Sequence, residues 1–132
     1  MSSITYLPPS IHQLIDSFNE LDKNGLSVGA RALAKHFHRS TALFWGNVKG
    51  NTAQQNNHAT QMIIKLLCDC AWINAHLIPH DIPVFEIRNK QGYGARWRIT
   101  WENINSCCID KVKFRGFLEP PDPMGHENGW KH

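Results

Sequence analysis

The sequence predicts an α+β domain: three helices packed on one face of a three-stranded antiparallel meander. Two observations predict it. Between Ile11 and Leu77 apolar residues recur every three or four positions, the spacing of helices. From Val84 onward the period becomes two, in segments rich in aromatic and branched residues. Helices first and strands afterwards, without β-α alternation, is the α+β order.

Each element has its own signals. Ser10 is a suitable N-cap for a helix carrying Ile11, Leu14, Ile15, Phe18 and Leu21, and Gly25 closes it. Ser27 caps a second helix, with Val28, Ala32, Leu33 and either His36 or Phe37 on one side. The stretch Ser40 to Trp45 extends that helix or forms a separate turn before Gly46. Gly50-Asn51-Thr52 opens a long helix over about residues 53–77, with Ala59, Met62, Ile63, Leu66, Cys70, Ile73 and Leu77 on its core face. Its first turns are polar (Gln54, Gln55, Asn56, Asn57, His58), so they project from the core or meet a partner. Pro79 ends it and Pro83 forces extended geometry. Strands are expected over about 84–89, 93–101 and 111–119, the first two joined at Lys90-Gln91-Gly92. Pro120-Pro121 stops the last strand, leaving a Gly-rich tail from Asp122 to His132.

Length and composition bound the rest. The 132 residues suit a single domain, 1–132, because two cores would each be too small. Apolar residues at 42% and charged residues at 19% exclude a disordered or fibrous chain. No apolar run approaches the ~20 residues of a membrane-spanning helix, and Met1-Ser2-Ser3 opens no secretory signal. A cytoplasmic or nuclear location without membrane contact is expected. The net charge of +3 is local, because seven bases and four acids fall between Pro83 and Pro120. That excess fits an anionic partner but is small for a dedicated nucleic-acid neutraliser.

Alternation sorts the strands into two rows. Phe85, Ile87, Tyr93, Ala95, Trp97, Ile99, Trp101, Val112, Phe114, Gly116 and Leu118 should pack on the helices. The opposite row reads Val84, Glu86, Arg88, Gly94, Arg96, Arg98, Thr100, Lys113, Arg115, Phe117 and Glu119. A solvated face with cross-strand Glu-Arg pairs explains such a row without any ligand. A binding face explains it too. Guanidinium groups suit phosphate or carboxylate oxygens, Phe117 offers a stacking surface, and Gly94 and Gly116 leave room for close approach. Arg88, Arg96, Arg98, Lys113, Arg115 and Phe117 are therefore the candidate ligand-binding residues, for an anionic small molecule or a nucleic acid. An enzyme would use the same face, with Glu86, Glu119 and His126 as candidate proton carriers.

Other motifs give less. Gly92-Tyr93-Gly94 lacks the third glycine and the helix of a dinucleotide fingerprint. Cys68, Cys70, Cys107 and Cys108 lack C-x-x-C spacing and read as structural thiols. His76, His80, Asp81, His126 and His132 would meet only if the tail reached the end of the long helix, so neither a metal nor a cofactor is expected. No Walker loop, G-x-S-x-G or H-E-x-x-H occurs. The small-residue helix after Ser27 lacks the basic recognition helix of a helix-turn-helix.

Phe85-Glu86-Ile87-Arg88, Gly92-Tyr93-Gly94-Ala95-Arg96-Trp97 and Phe114-Arg115-Gly116-Phe117-Leu118-Glu119-Pro120, with Gly125-His126-Glu127 and Gly129-Trp130-Lys131-His132, carry a resemblance. Over the last two-thirds of the chain, the sequence resembles a small family of eukaryotic proteins, plant ones included, to which no function is attached. The resemblance implies a complete small protein and transfers no functional residue. The expectation is an intracellular binding module whose basic sheet face engages an anion. A small hydrolase on the same face and a structural interaction subunit are the alternatives, and the oligomeric state is open.

Overall fold

The computed structural model describes residues 9–37, 43–101 and 109–121, with the backbone alone at 43, 101, 109 and 110. Helix α1 (Ile11–Asn19) opens on a reciprocal cap, with Ser10 Oγ accepting from Gln13 N at 3.1 Å and Gln13 Oε1 accepting from Ser10 N at 2.9 Å. It stops at Asn19, short of Gly25. Asp22 Oδ1 captures the backbone N–H groups of Asn24 and Leu26, at 2.8 and 3.0 Å, and Leu21 bridges Ser27. These local bonds outcompete the helix. Helix α2 (Val28–Phe37) starts where Ser27 Oγ accepts from Ala30 N at 3.0 Å. Gly29 lets it lie against α1, because a Cβ there would collide with the Phe18 ring. A single 3-10 turn follows at Leu43–Trp45.

Helix α3 (Thr52–Cys68) begins at Asn51 with a second reciprocal cap, made with Gln54. Its polar first turns tie the helices together. Asn56 Oδ1 accepts from Ser27 N at 2.8 Å and its Nδ2 donates to the Gly25 carbonyl at 2.9 Å, while a His58 Nε2 contact of 2.8 Å reaches the Trp45 carbonyl.

The long helix expected to residue 77 ends at Cys68, and Cys70–Ile78 is strand β1. Apolar spacing suited either period. The decision lies in eight register pairs with strand β2 (Ile82–Asn89), from Cys70↔Asn89 to Ile78↔Ile82, reached through a tight turn at Pro79–Asp81. Long-range pairing overrides a local pattern. Strands β3 (Gly94–Trp101) and β4 (Ile109–Leu118) complete a four-stranded antiparallel sheet in the order β1-β2-β3-β4. The fold is α+β as expected, with one more strand. Gly92 takes φ +96° in the β2–β3 turn, and Asn89 Oδ1 accepts from Gln91 N and Tyr93 N.

The helices cover one sheet face, and the core lies between. Phe18 and Trp97 sit edge-on to Phe114 at 4.8 and 5.4 Å between ring centroids, and Trp97 Nε1 donates to the Leu14 carbonyl at 3.1 Å. Trp45 and Phe117 extend the same cluster. The register slips by one in β4: Arg96 faces Gly116 while Trp97 faces Phe114, so Arg115 is an extra, bulged residue. Phe114 and Phe117 both enter the core, whereas Gly116 and Leu118 fall on the opposite face. This reverses the expected row beyond residue 115. No helix among the described residues is long and apolar enough to cross a membrane.

Candidate active site

The face turned away from the helices is carried by all four strands. Register places Trp72, Asn74 and His76 of β1 beside Val84, Glu86 and Arg88 of β2, then Arg96 and Arg98 of β3, then Lys113, Gly116 and Leu118 of β4. Val84 and Leu118 are buried there, so this is a partly covered surface and not a uniformly solvated one.

Its centre is Glu86, whose residue is only 3% exposed. Arg96 Nε and Nη2 donate to Glu86 Oε1 at 2.9 and 2.7 Å, and Arg88 Nε donates to Oε2 at 3.2 Å. His76 Nε2 lies 3.8 Å from the same Oε1. Asn74 Nδ2 stands 3.0 Å from His76 Nδ1. With the amide donating to Nδ1, the ring proton sits on Nε2 and points at the carboxylate. Burial depresses the His76 pKa below its ordinary value; Glu86 draws it up, and Arg96 and Arg88 push it further down. Charge-assisted bonds from two guanidinium groups offset the desolvation of one buried carboxylate.

Beside this cluster, a cavity of about 600 Å³ opens around the β4 bulge. Arg96 and Arg115 line it from the sheet, Arg31 and Lys35 from α2, and Ile78 and Pro79 from the β1–β2 turn. A Cβ at Gly116 would meet nothing within 4 Å.

The predicted site residues have separate fates. Glu86, Arg88, Arg96 and Arg98 share one face as expected. Arg88 also donates through Nη1 to the carbonyls of Gly92 and Glu119, at 2.6 and 2.9 Å, fixing the hairpin to the end of β4. Arg98 is exposed and has no ion-pair partner among the described residues. Lys113 forms a surface pair with Glu20 at 3.0 Å. Arg115 stands on the rim, out of phase with either row. Phe117 is no exposed stacking surface, because the bulge turns it into the core. Trp72, 44% exposed, is the aromatic that the polar face presents. Glu119 is turned away from Glu86; its Oε1 accepts from Trp45 Nε1 at 3.1 Å and contacts His36 Nε2 at 3.2 Å. His126, the tail with Trp130, and Cys107 and Cys108 lie outside the described residues. Gly94 gives no open space, because a Cβ there would collide with the Ile87 carbonyl and Arg88 Cγ.

Sequence reasoning missed Asn74 and Trp72, and weighed His76 only as a metal ligand, because it placed all three on a helix. Their alternation at 72, 74 and 76 was the signal available. No group of three or more His, Cys, Asp or Glu residues arranged to hold a metal occurs among the described residues. Cys68 and Cys70 are free thiols at the α3–β1 junction.

The chain thus sets a helical layer on one side of an antiparallel sheet and a Glu/Arg/His cluster on the other, and comparison with known proteins gives its family. Residues 15–119 match the CdiA C-terminal tRNase toxin domain, and the chain belongs to that family. Among solved structures, it is similar to the toxic C-terminal tip of CdiA from Pseudomonas aeruginosa, whose crystal structure is a complex with an immune protein. The two share 25% identity with a TM-score of 0.58, over 79% of this chain and 99% of that one. No curated protein sequence matches.

These findings correct two expectations. The family is a bacterial toxin family, not a eukaryotic one without a function. A tRNase toxin domain also displaces the binding module, and neither the small hydrolase nor the structural subunit fits it better. The error came from the absence of any nuclease motif in sequence, since residues brought together from separate strands leave no contiguous signature.

Proposed function

We propose that this chain is a ribonuclease that cleaves tRNA, acting as a toxin in the cytoplasm of the cell it poisons, with its chemistry on the open sheet face. Family membership supports the substrate class. The observation that carries the reading to this face is the buried Glu86, with Arg96, Arg88 and His76 within 4 Å of its carboxylate. A carboxylate, an imidazole and guanidinium groups can supply the base, the acid and the charge stabilisation of phosphodiester transfer within RNA.

Arg96 and the exposed Arg98 meet the phosphate, and Trp72 stacks on a neighbouring base. Glu86 accepts the proton of the ribose 2′-hydroxyl as the bond from O2′ to phosphorus forms. The bond from phosphorus to O5′ breaks, and the His76 imidazolium, with the Asn74 amide turned so that its oxygen accepts from Nδ1–H, gives its Nε2 proton to that leaving oxygen. The bound phosphate brings a negative charge to a ring that is otherwise held neutral, which raises its proton affinity. Glu86 Oε2 accepts one bond from Arg88 and retains a free lone pair for the incoming proton. A dedicated immunity protein is the protein partner that likeness to the CdiA tip supports.

The test is direct. Purified protein incubated with tRNA should yield discrete fragments on a denaturing gel, and Arg96→Ala and Glu86→Gln should each lower the rate by about 10²-fold or more. Intact tRNA after incubation with folded protein would overturn the reading.

A further inference from the structure

We propose that the cavity at the β4 bulge is a second phosphate-binding position, holding the RNA backbone beside the cleaved bond through Lys35 and Arg115; this rests on the ribonuclease reading. Four cations from three elements line the cavity (Arg31 and Lys35 of α2, Arg96 of β3, Arg115 of β4), and no carboxylate lines it. Arg31 is already engaged with Asp22. Lys35 and Arg115 are exposed and have no ion-pair partner among the described residues. Two exposed cations across an open floor repel each other unless an anion lies between them.

Continuity with the reacting centre makes that anion the substrate's own backbone. Arg96 belongs to both places, bonding Glu86 on one side and lining the cavity on the other. Gly116 leaves the floor between Arg96 and Arg115 clear. A strand of RNA crossing the sheet face over Arg96 therefore passes directly into the cavity. Arg31 and Lys35, four apart on α2, rise roughly 5–6 Å from each other along its far wall. The cavity holds flanking phosphates without taking part in the reaction, so it governs affinity and the length of RNA required.

Two measurements on the purified full chain test this. In the first, Lys35→Gln/Arg115→Gln should raise KM for tRNA on the order of tenfold and leave kcat near that of the parent. In the second, tRNA binding is followed by titration across a salt series in the non-cleaving Glu86→Gln background. There the added double substitution should reduce the slope of log K against log salt by about 1 per cation removed. Unchanged KM and salt slope would overturn the proposal, even with cleavage intact. Loss of immunity-protein binding by the double variant, with tRNA binding unaltered, would overturn it as well and make the cavity a protein interface. A parent chain that leaves tRNA intact removes the ribonuclease reading, while the salt slope still decides whether the cavity holds phosphate.

Discussion

Glu86 is the residue on which most of the polar face depends. Replacing it with Ala leaves Arg96 and Arg88 facing each other without their shared anion, and breaking a buried pair in this way costs about 3–5 kcal/mol. Urea denaturation of Glu86→Ala should show that loss. Glu86→Gln should lose less, because the amide oxygen keeps one acceptor for Arg96. His76 supplies a pH signature. Its folded pKa lies below 6.5, through burial first and then through Arg96 and Arg88, with Glu86 opposing. Between those values the unfolded chain binds more protons than the folded one. Stability therefore falls as pH falls below about 6.5. Denaturation midpoints at pH 7.5 and 5.5 should differ more for the parent than for His76→Asn, and equal differences would remove His76 as the source.

At the scale of elements, β1 and the bulge in β4 decide which side chains share a face. Caps and turns were legible in sequence: Ser10, Ser27 and Asn51 open the three helices as expected, and Gly92 closes the β2–β3 turn. β1 was not legible, because Cys70, Ile73 and Leu77 satisfy helical spacing while its strand identity comes from pairing with β2. Phe117 was misplaced because one unpaired residue is invisible to a count by twos. The site was half legible for the same reason. Glu86, Arg88, Arg96 and Arg98 precede the bulge, whereas His76 lies on the unrecognised strand. The bulge makes a sharp prediction. Deleting Arg115 restores plain alternation with Phe114 and Phe117 still inward, so the variant should unfold cooperatively. Deleting Lys113 reverses every residue before it and should abolish that transition. Asn56 joins elements in another way. Asn56→Ala strands Ser27 N–H and the Gly25 carbonyl, and a loss of about 1–3 kcal/mol by denaturation is expected.

For the whole molecule, the helical layer supplies cohesion while the opposite face carries the Glu/Arg/His cluster. Production of the chain in a bacterial cytoplasm should arrest growth and deplete full-length tRNA on northern blots. Arg96→Ala, produced to the same level, should do neither. The bulged Arg115 adds a property that neither layer has alone. Standing outside the inward-outward rhythm, it carries no packing duty and faces no partner across the ladder. Its side chain is a free variable: exchanging it leaves the aromatic core as it was, and Arg115→Glu should move stability by no more than about 0.5 kcal/mol. Charge at that rim can thus change, one residue at a time, while the architecture underneath stays still.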